Sequence, residues 1–268
     1  MLRLWPRDAM QSAPTPACAD RLTWHHLRQA ASTPYRRAGR FAWHFAQAKL
    51  GFDPVFRQLV CEGLIPSGSR VLDLGCGQGL LGSVLLSAPR LDAAGIPWPA
   101  HWAPAPRGLR ITGIELMPRE VERARLALGD SARFVCADLR DAELPDCDAV
   151  VILDVLHYLD PADQDRLLER VRDALVPGGR LLLRVADARH RFGYTSAMWG
   201  DWLVSRLRGH RVPTRGHTVS HWLQKLHALG FDVDTRPMNG RRMPFSNVLL
   251  VGRRDPATTT SLPQEAIA

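Results

Sequence analysis

The chain has 268 residues, 46% hydrophobic and 23% charged, with a formal net charge of +8; that length suits one large α/β domain with additions and a sizeable buried core. No apolar run reaches the roughly 20 residues of a membrane span, and the opening MLRLWPRDAM lacks the apolar centre of a signal peptide, so an unexported, cytoplasmic protein is expected. Five cysteines, an odd number with no C-x-x-C pair and no histidines at zinc-finger spacing, argue against a disulfide framework and a structural metal.

In chain order, the first 50 residues mix Pro, Ala, Arg and three tryptophans, with helical patterns at RLTWHHLRQAA and FAWHFAQAKL. Residues 1–52 read as an N-terminal helical cap with a mobile start. Asp53 is placed to cap a helix that has Pro54 at its first position and Val55, Phe56, Leu59 and Val60 on one face. From Arg70 onward strands and helices alternate. RVLDLG is a strand running into a glycine loop, and GLLGSVLLSA continues as a helix. RITGIEL at 110–116 is a second strand, and Pro118 opens a helix over 118–129. RFVCADL at 133–139 and DAVVILDVL at 148–156 are strands three and four; Asp160 and Pro161 begin a helix over 161–175, and PGG at 177–179 turns the chain into a fifth strand, RLLLRV. A helix closed by Gly230 precedes FDVDTRP and SNVLLVGRR, which suit a closing antiparallel pair. This order predicts a doubly wound, mostly parallel seven-stranded sheet with helices on both faces. Ligands in such sheets bind beyond the carboxyl ends of the strands.

Two segments break the rhythm. Residues 88–109 form a Pro- and Trp-rich insertion, and residues 187–216 leave strand five from a carboxyl end, which makes them the lid candidate. The main domain is set at 53–254, followed by a disordered tail at 255–268. Charge is uneven along the chain: residues 1–48 carry 7 basic and 2 acidic side chains, 49–179 carry 14 and 19, and 180–254 carry 14 and 4. Nearly all the basic residues are arginine, which compositional bias alone would give; a basic rim drawing an anionic substrate or acidic partner is the functional alternative.

VLDLGCGQGLLG at 71–82 holds the G-x-G-x-x-G spacing of a dinucleotide site at Gly77, Gly79 and Gly82. A pyrophosphate bound at a helix N-terminus disfavours nearby negative charge, yet Asp73 stands just upstream. S-adenosylmethionine carries an ammonium and a sulfonium instead, and an acid beside the loop suits those cations. Glu115, at the end of strand two, can accept ribose hydroxyls of either cofactor. Asp138, at the end of strand three, can accept an adenine amino group while Leu139 packs on the ring; Asp154 ends the fourth strand. Acids at four successive strand ends are an odd setting for a pyrophosphate.

Taken in order, VLDLGCGQG, GIEL, the Asp138-Leu139 pair, DAVVILDVLHYL and LVPGGRLLLR resemble the motifs of the class I S-adenosylmethionine-dependent methyltransferases, well over 70–185 and loosely over 217–253. The resemblance implies that Gly75, Gly77 and Gly79 contact the methionine moiety, with Asp73 near its amino group. It further implies Glu115 and Leu116 at the ribose, Asp138 and Leu139 at the adenine, and Asp154 in the site, with Gly82 close-packed in the following helix. His157, just beyond strand four, is the candidate general base for an oxygen acceptor; Tyr158, Arg184 and Tyr194 are candidate substrate contacts, with His190 and His217 as weaker ones. Stretches that would mark amino-group or cytosine methylation, or a Mg²⁺ site, are absent after strand four, and nucleic-acid binding rests on arginine content alone. The resulting expectation is O-methylation of an aromatic or acyl small molecule, with the basic flanks available to an acyl carrier protein. A cofactor-binding scaffold without turnover and a nicotinamide oxidoreductase remain as alternatives.

Overall fold

The computed structural model describes residues 16–186, 217–238 and 247–256. The mobile start, the lid candidate with His190 and Tyr194, and the tail from 257 lie outside them.

Side chains alternate along each central strand, so each strand feeds two cores. The strands are β1 (Arg70–Leu74), β2 (Arg110–Glu115), β3 (Arg133–Cys136), β4 (Cys147–Leu153), β5 (Leu175–Ala186), β6 (Phe231–Pro237) and β7 (Asn247–Arg254). Val71, Ile111, Val151 and Leu182 point to one face, and Leu72, Ile114, Val150 and Leu181 to the other. The first face is covered by α1 (Pro16–Ser32), α2 (Arg40–Phe52), α3 (Val55–Cys61), α4 (Leu80–Ala93) and α5 (Pro118–Leu128). The second carries α6 (Pro161–Ala174) and α7 (Val219–Ala228). Leu27, Ala31, Tyr35, Ala46 and Leu50 are buried in the same cluster as Val71 and Val84, so the N-terminal helices share the core of the sheet.

Strand order is β3-β2-β1-β4-β5-β7-β6, parallel through β5, with β7 antiparallel to both β5 and β6. The order reverses beside β1, which opens a crevice at its carboxyl end. Several boundaries differ from the sequence reading: β3 ends at Cys136 and not at 139, and β4 ends at Leu153 and not at 156, with a 3₁₀ turn at Leu156–Tyr158 following it. The PGG stretch is a bulge inside β5, since Cys147 pairs with Leu175 and Ala149 already with Arg180. Helix α4 runs through Pro89 to Ala93 instead of ending at 88. Proline removes one helical bond there, but Leu91 packs on the core and Arg90 donates to Ser87 Oγ at 3.2 Å. The rest of the insertion folds against α1 and α3: Thr23 Oγ1 donates to Pro97 O at 2.7 Å, Ala103 N to Cys61 O at 2.8 Å, and Trp102 is buried with Trp98 edge-on to it.

Candidate active site

Alternation places three side chains together. Asp73 has the parity of Val71, Leu153 that of Val151, and Arg184 that of Leu182, so all three face the N-terminal helices near the strand ends. Between them and the helices lies a cavity of about 140 Å³, walled by the glycine loop, Phe45 and Lys49 of α2, Phe56 of α3, Asp73, Asp154 and Arg184.

The loop conformation depends on glycine at two positions. Gly75 has φ +73°, and a Cβ there would stand 2.3 Å from Val155 Cγ2; Gly79 has φ +78°, and a Cβ would meet the Phe134 ring at 2.8 Å. Gly82 is less constrained than expected, because a Cβ would make only ordinary contacts at 3.5 Å and beyond. The loop is also tied to the N-terminal helices: the buried Tyr35 hydroxyl donates to Gln78 O at 2.9 Å, and Gln78 Nε2 donates to Ala42 O at 3.0 Å.

Asp73 is buried, and its carboxyl is pushed up to about 7, chiefly by loss of water and secondarily by the nearby Glu115 charge. Among the described residues no cation pairs with it. Glu115 is held in place, accepting from Gly77 N at 3.0 Å and from Met117 N at 2.9 Å. The opposite wall is self-paired. Arg184, whose side chain is 3% exposed, donates to Asp53 at 2.6 Å and grips Asp154 through two nitrogens, with Nε at 2.8 Å from Oδ1. Lys49 Nζ lies 2.9 Å from the second oxygen of Asp53. The two cations outweigh the burial penalty and hold the Asp53 carboxyl at about 2. Asp154 has φ +58°, the one non-glycine in that region among the described residues, and the bidentate grip of Arg184 offsets the strain.

The cavity therefore gathers Asp73, Gly75, Gly77, Asp154 and Arg184, while the other candidates stand apart from it. Glu115 and Leu116 lie at the end of β2. Beyond β3, Asp138 accepts from the Arg140 backbone at 3.0 Å and from its guanidinium at 2.7 Å. Leu139 is 7% exposed and packs in the second core, so little of its side chain is free to cover a ring. His157 and Tyr158 form a 3₁₀ turn after β4, half-buried, with ring centroids 4.1 Å apart; neither lines the cavity. His217 stacks on His221 at 4.1 Å beside α7. Asp53, Phe45 and Phe56 were not read from sequence as site residues. Asp53 does cap, accepting from Val55 N at 3.1 Å, but it also neutralises Arg184. The i,i+4 spacing of Lys49 and Asp53 signalled their own ion pair, but nothing local pointed to Arg184.

Residues 42–235 match the model of the methyltransferase domain family. Among curated relatives, a carboxy-S-adenosyl-L-methionine synthase from Aliivibrio fischeri is 29% identical over 170 residues, covering 57% of this chain and 64% of the relative. One from Chromohalobacter salexigens is 32% identical over 130 residues, covering 47% and 43%. The chain thus spans less than two thirds of the relatives it matches. Among solved structures, an O-methyltransferase family protein from Burkholderia thailandensis superposes with a TM-score of 0.55 at 20% identity, covering 83% of this chain and 62% of that one. Magnesium protoporphyrin IX methyltransferase from Synechocystis, with bound S-adenosylhomocysteine, gives 0.51 at 20%, covering 86% and 99%. Among the described residues no helix is long and apolar enough to cross a membrane. With its sheet order, its glycine loop and a family match over most of its length, the chain belongs to the S-adenosylmethionine-dependent methyltransferase family.

Proposed function

We propose that the chain transfers the methyl group of S-adenosylmethionine to an oxygen of a small aromatic or acyl molecule in the cytoplasm. The observation that carries this reading is Asp73, a buried carboxylate whose charged neighbour among the described residues is another acid, facing a cavity bounded by a glycine loop. Such a group suits a cationic ligand and opposes a pyrophosphate, which speaks against the nicotinamide alternative. When bound, the cofactor supplies an electrophilic methyl group. Asp73 would take its ammonium and Glu115 its ribose hydroxyls, and Asp138 would take the adenine amino group by sharing its oxygens with Arg140. Arg184 fixes the end of β4 through Asp154, holding the acceptor side of the cavity in position. Phe45 and Phe56 give that side an apolar lining. His157, on the turn three residues past Asp154, would remove the acceptor proton.

The test is calorimetry with S-adenosylhomocysteine and NAD, followed by turnover of methyl-labelled S-adenosylmethionine on a panel of hydroxylated aromatic and acyl acids. Binding of the first ligand alone, with label appearing in an acceptor, supports the reading; binding without turnover supports a scaffold. A His157→Gln variant that binds S-adenosylhomocysteine normally but turns over as fast as the parent would remove His157 from the mechanism. The names of the curated relatives, together with the two cations on the cavity wall, support a second reading in which a carboxylic acid donor gives up its carboxyl group to the cofactor's methyl carbon and takes the displaced methyl proton in its place. Mass spectrometry of the nucleoside product separates the two. The basic charge of residues 180–254 supports delivery of the acceptor on an acidic carrier protein, for which methylation should be faster at low salt than at high.

A further inference from the structure

Helix α2 carries three phenylalanines in contact with solvent: Phe41 is 65% exposed, Phe45 43% and Phe52 76%. At 3.6 residues per turn, Phe41, Phe45, Lys49 and Phe52 lie within an arc of about 80°. Exposed aromatic stripes of this kind mark binding surfaces. The stripe is also ordered from beneath. Phe41 and Phe45 stack with centroids 6.3 Å apart and planes 14° from parallel, and the buried Arg123 guanidinium lies 4.8 Å from the Phe41 ring. Its middle borders the cavity, where Phe45 and, one turn on, Lys49 line the same space as Asp154. The Lys49 ammonium has three donors, and Asp53, which takes one at 2.9 Å, is also claimed by Arg184 at 2.6 Å.

We propose that this face is the acceptor subsite and that it selects aromatic carboxylic acids: Phe45 stacks on the acceptor ring, and Lys49 pairs with its carboxylate. The proposal rests on the methyl-transfer reading for calling the ligand an acceptor, but its test is binding and needs no turnover. The full chain is saturated with S-adenosylhomocysteine and titrated calorimetrically with 4-hydroxycinnamate, its methyl ester and hexanoate. The acid should bind about tenfold or more tightly than the ester, and more tightly than hexanoate. Lys49→Gln should bring the acid down to the level of the ester while leaving the ester unchanged, and Lys49→Arg should restore most of the difference. Phe45→Ala should weaken acid and ester alike by about tenfold. Equal affinity for acid and ester, no binding of either, or an acid affinity indifferent to Lys49→Gln would overturn the proposal. A sedimenting mass that falls on Phe41→Ala with acid binding intact would instead assign the stripe to self-association, and would overturn it too. Failure of methyl transfer with acid binding intact would sink the functional reading and leave the subsite standing.

Discussion

The two ends of the cavity handle buried charge in opposite ways. At the β4–β5 end, Asp53 and Asp154 share Arg184, Asp53 also pairs with Lys49, and the Asp53 carboxyl is drawn down to about 2. At the β1 end, Asp73 is as deeply buried, its charged neighbour is Glu115, and its carboxyl rises to about 7. The same residue type is therefore neutralised by the fold at one end and left for a ligand to neutralise at the other. One end is paired within the fold, with donors of Lys49 to spare, and the other is the end proposed to receive a cationic ligand.

The largest expected effect comes from breaking the paired end. Arg184→Met leaves two carboxylates without their shared cation and should cost about 3–5 kcal/mol in urea unfolding. Adding Asp53→Asn should recover part of that loss. An Arg184→Met variant as stable as the parent would mean that the network contributes nothing to the fold.

At the other end the same kind of change should act on binding. Asp73→Asn should weaken S-adenosylhomocysteine by roughly ten- to a hundredfold, since charge-assisted hydrogen bonds are worth about 1.5–3 kcal/mol. Binding of 5′-methylthioadenosine, which lacks the ammonium, should not change. Equal losses for both ligands would show that the asparagine had merely distorted the loop.

Titration sharpens the contrast with a smaller effect. The folded Asp73 carboxyl is raised from 3.8 to about 7, so between those values the native state keeps a proton that the unfolded chain has lost. Its contribution therefore lowers stability as pH rises through that window and is level above it. Asp53, lowered from 3.8 to about 2, adds stability above 3.8 that disappears as the pH falls through 2. Because a cation pairs with the ionised carboxylate, S-adenosylhomocysteine affinity should rise by up to about tenfold per pH unit on approaching 7 from below. Asp73→Asn should flatten both the stability slope and the affinity slope; a slope that survives in the variant assigns it to another group.

The unpaired acid at the β1 end was legible in the sequence and the paired end was not, for a physical reason. An acid upstream of a glycine loop conflicts locally with a phosphate, and that conflict is visible within a few residues. The partnership of Asp53 with Arg184 joins positions 131 apart, and only the sheet parity that turns Arg184 toward α3 brings them together. Apolar runs alternating with helical segments placed the strands and hence the strand-end acids, but they could not show that Arg140 would claim Asp138 or that Leu139 would turn into the core. Phe45 was not singled out, because helical spacing does not distinguish a buried stripe from one facing a cavity.

The smallest effect concerns the tether between the glycine loop and the N-terminal helices. Tyr35 is fully buried, and its hydroxyl meets the carbonyl of Gln78 in the glycine loop. Tyr35→Phe keeps the ring packing but leaves that carbonyl without its donor, a loss of about 1 kcal/mol in unfolding. If the tether serves only the fold, S-adenosylhomocysteine affinity should stay as it was. If the N-terminal helices also hold the loop in shape for the ligand, amide exchange at Gly77 and Gly79 should quicken and affinity should fall by a few fold. The second outcome is expected, because Gln78 Nε2 to Ala42 O is then the one remaining side-chain hydrogen bond, among those described, between the loop and these helices. Gly77 N also donates to Glu115, so loosening the loop disturbs the position of Glu115 as well as the approach to Asp73.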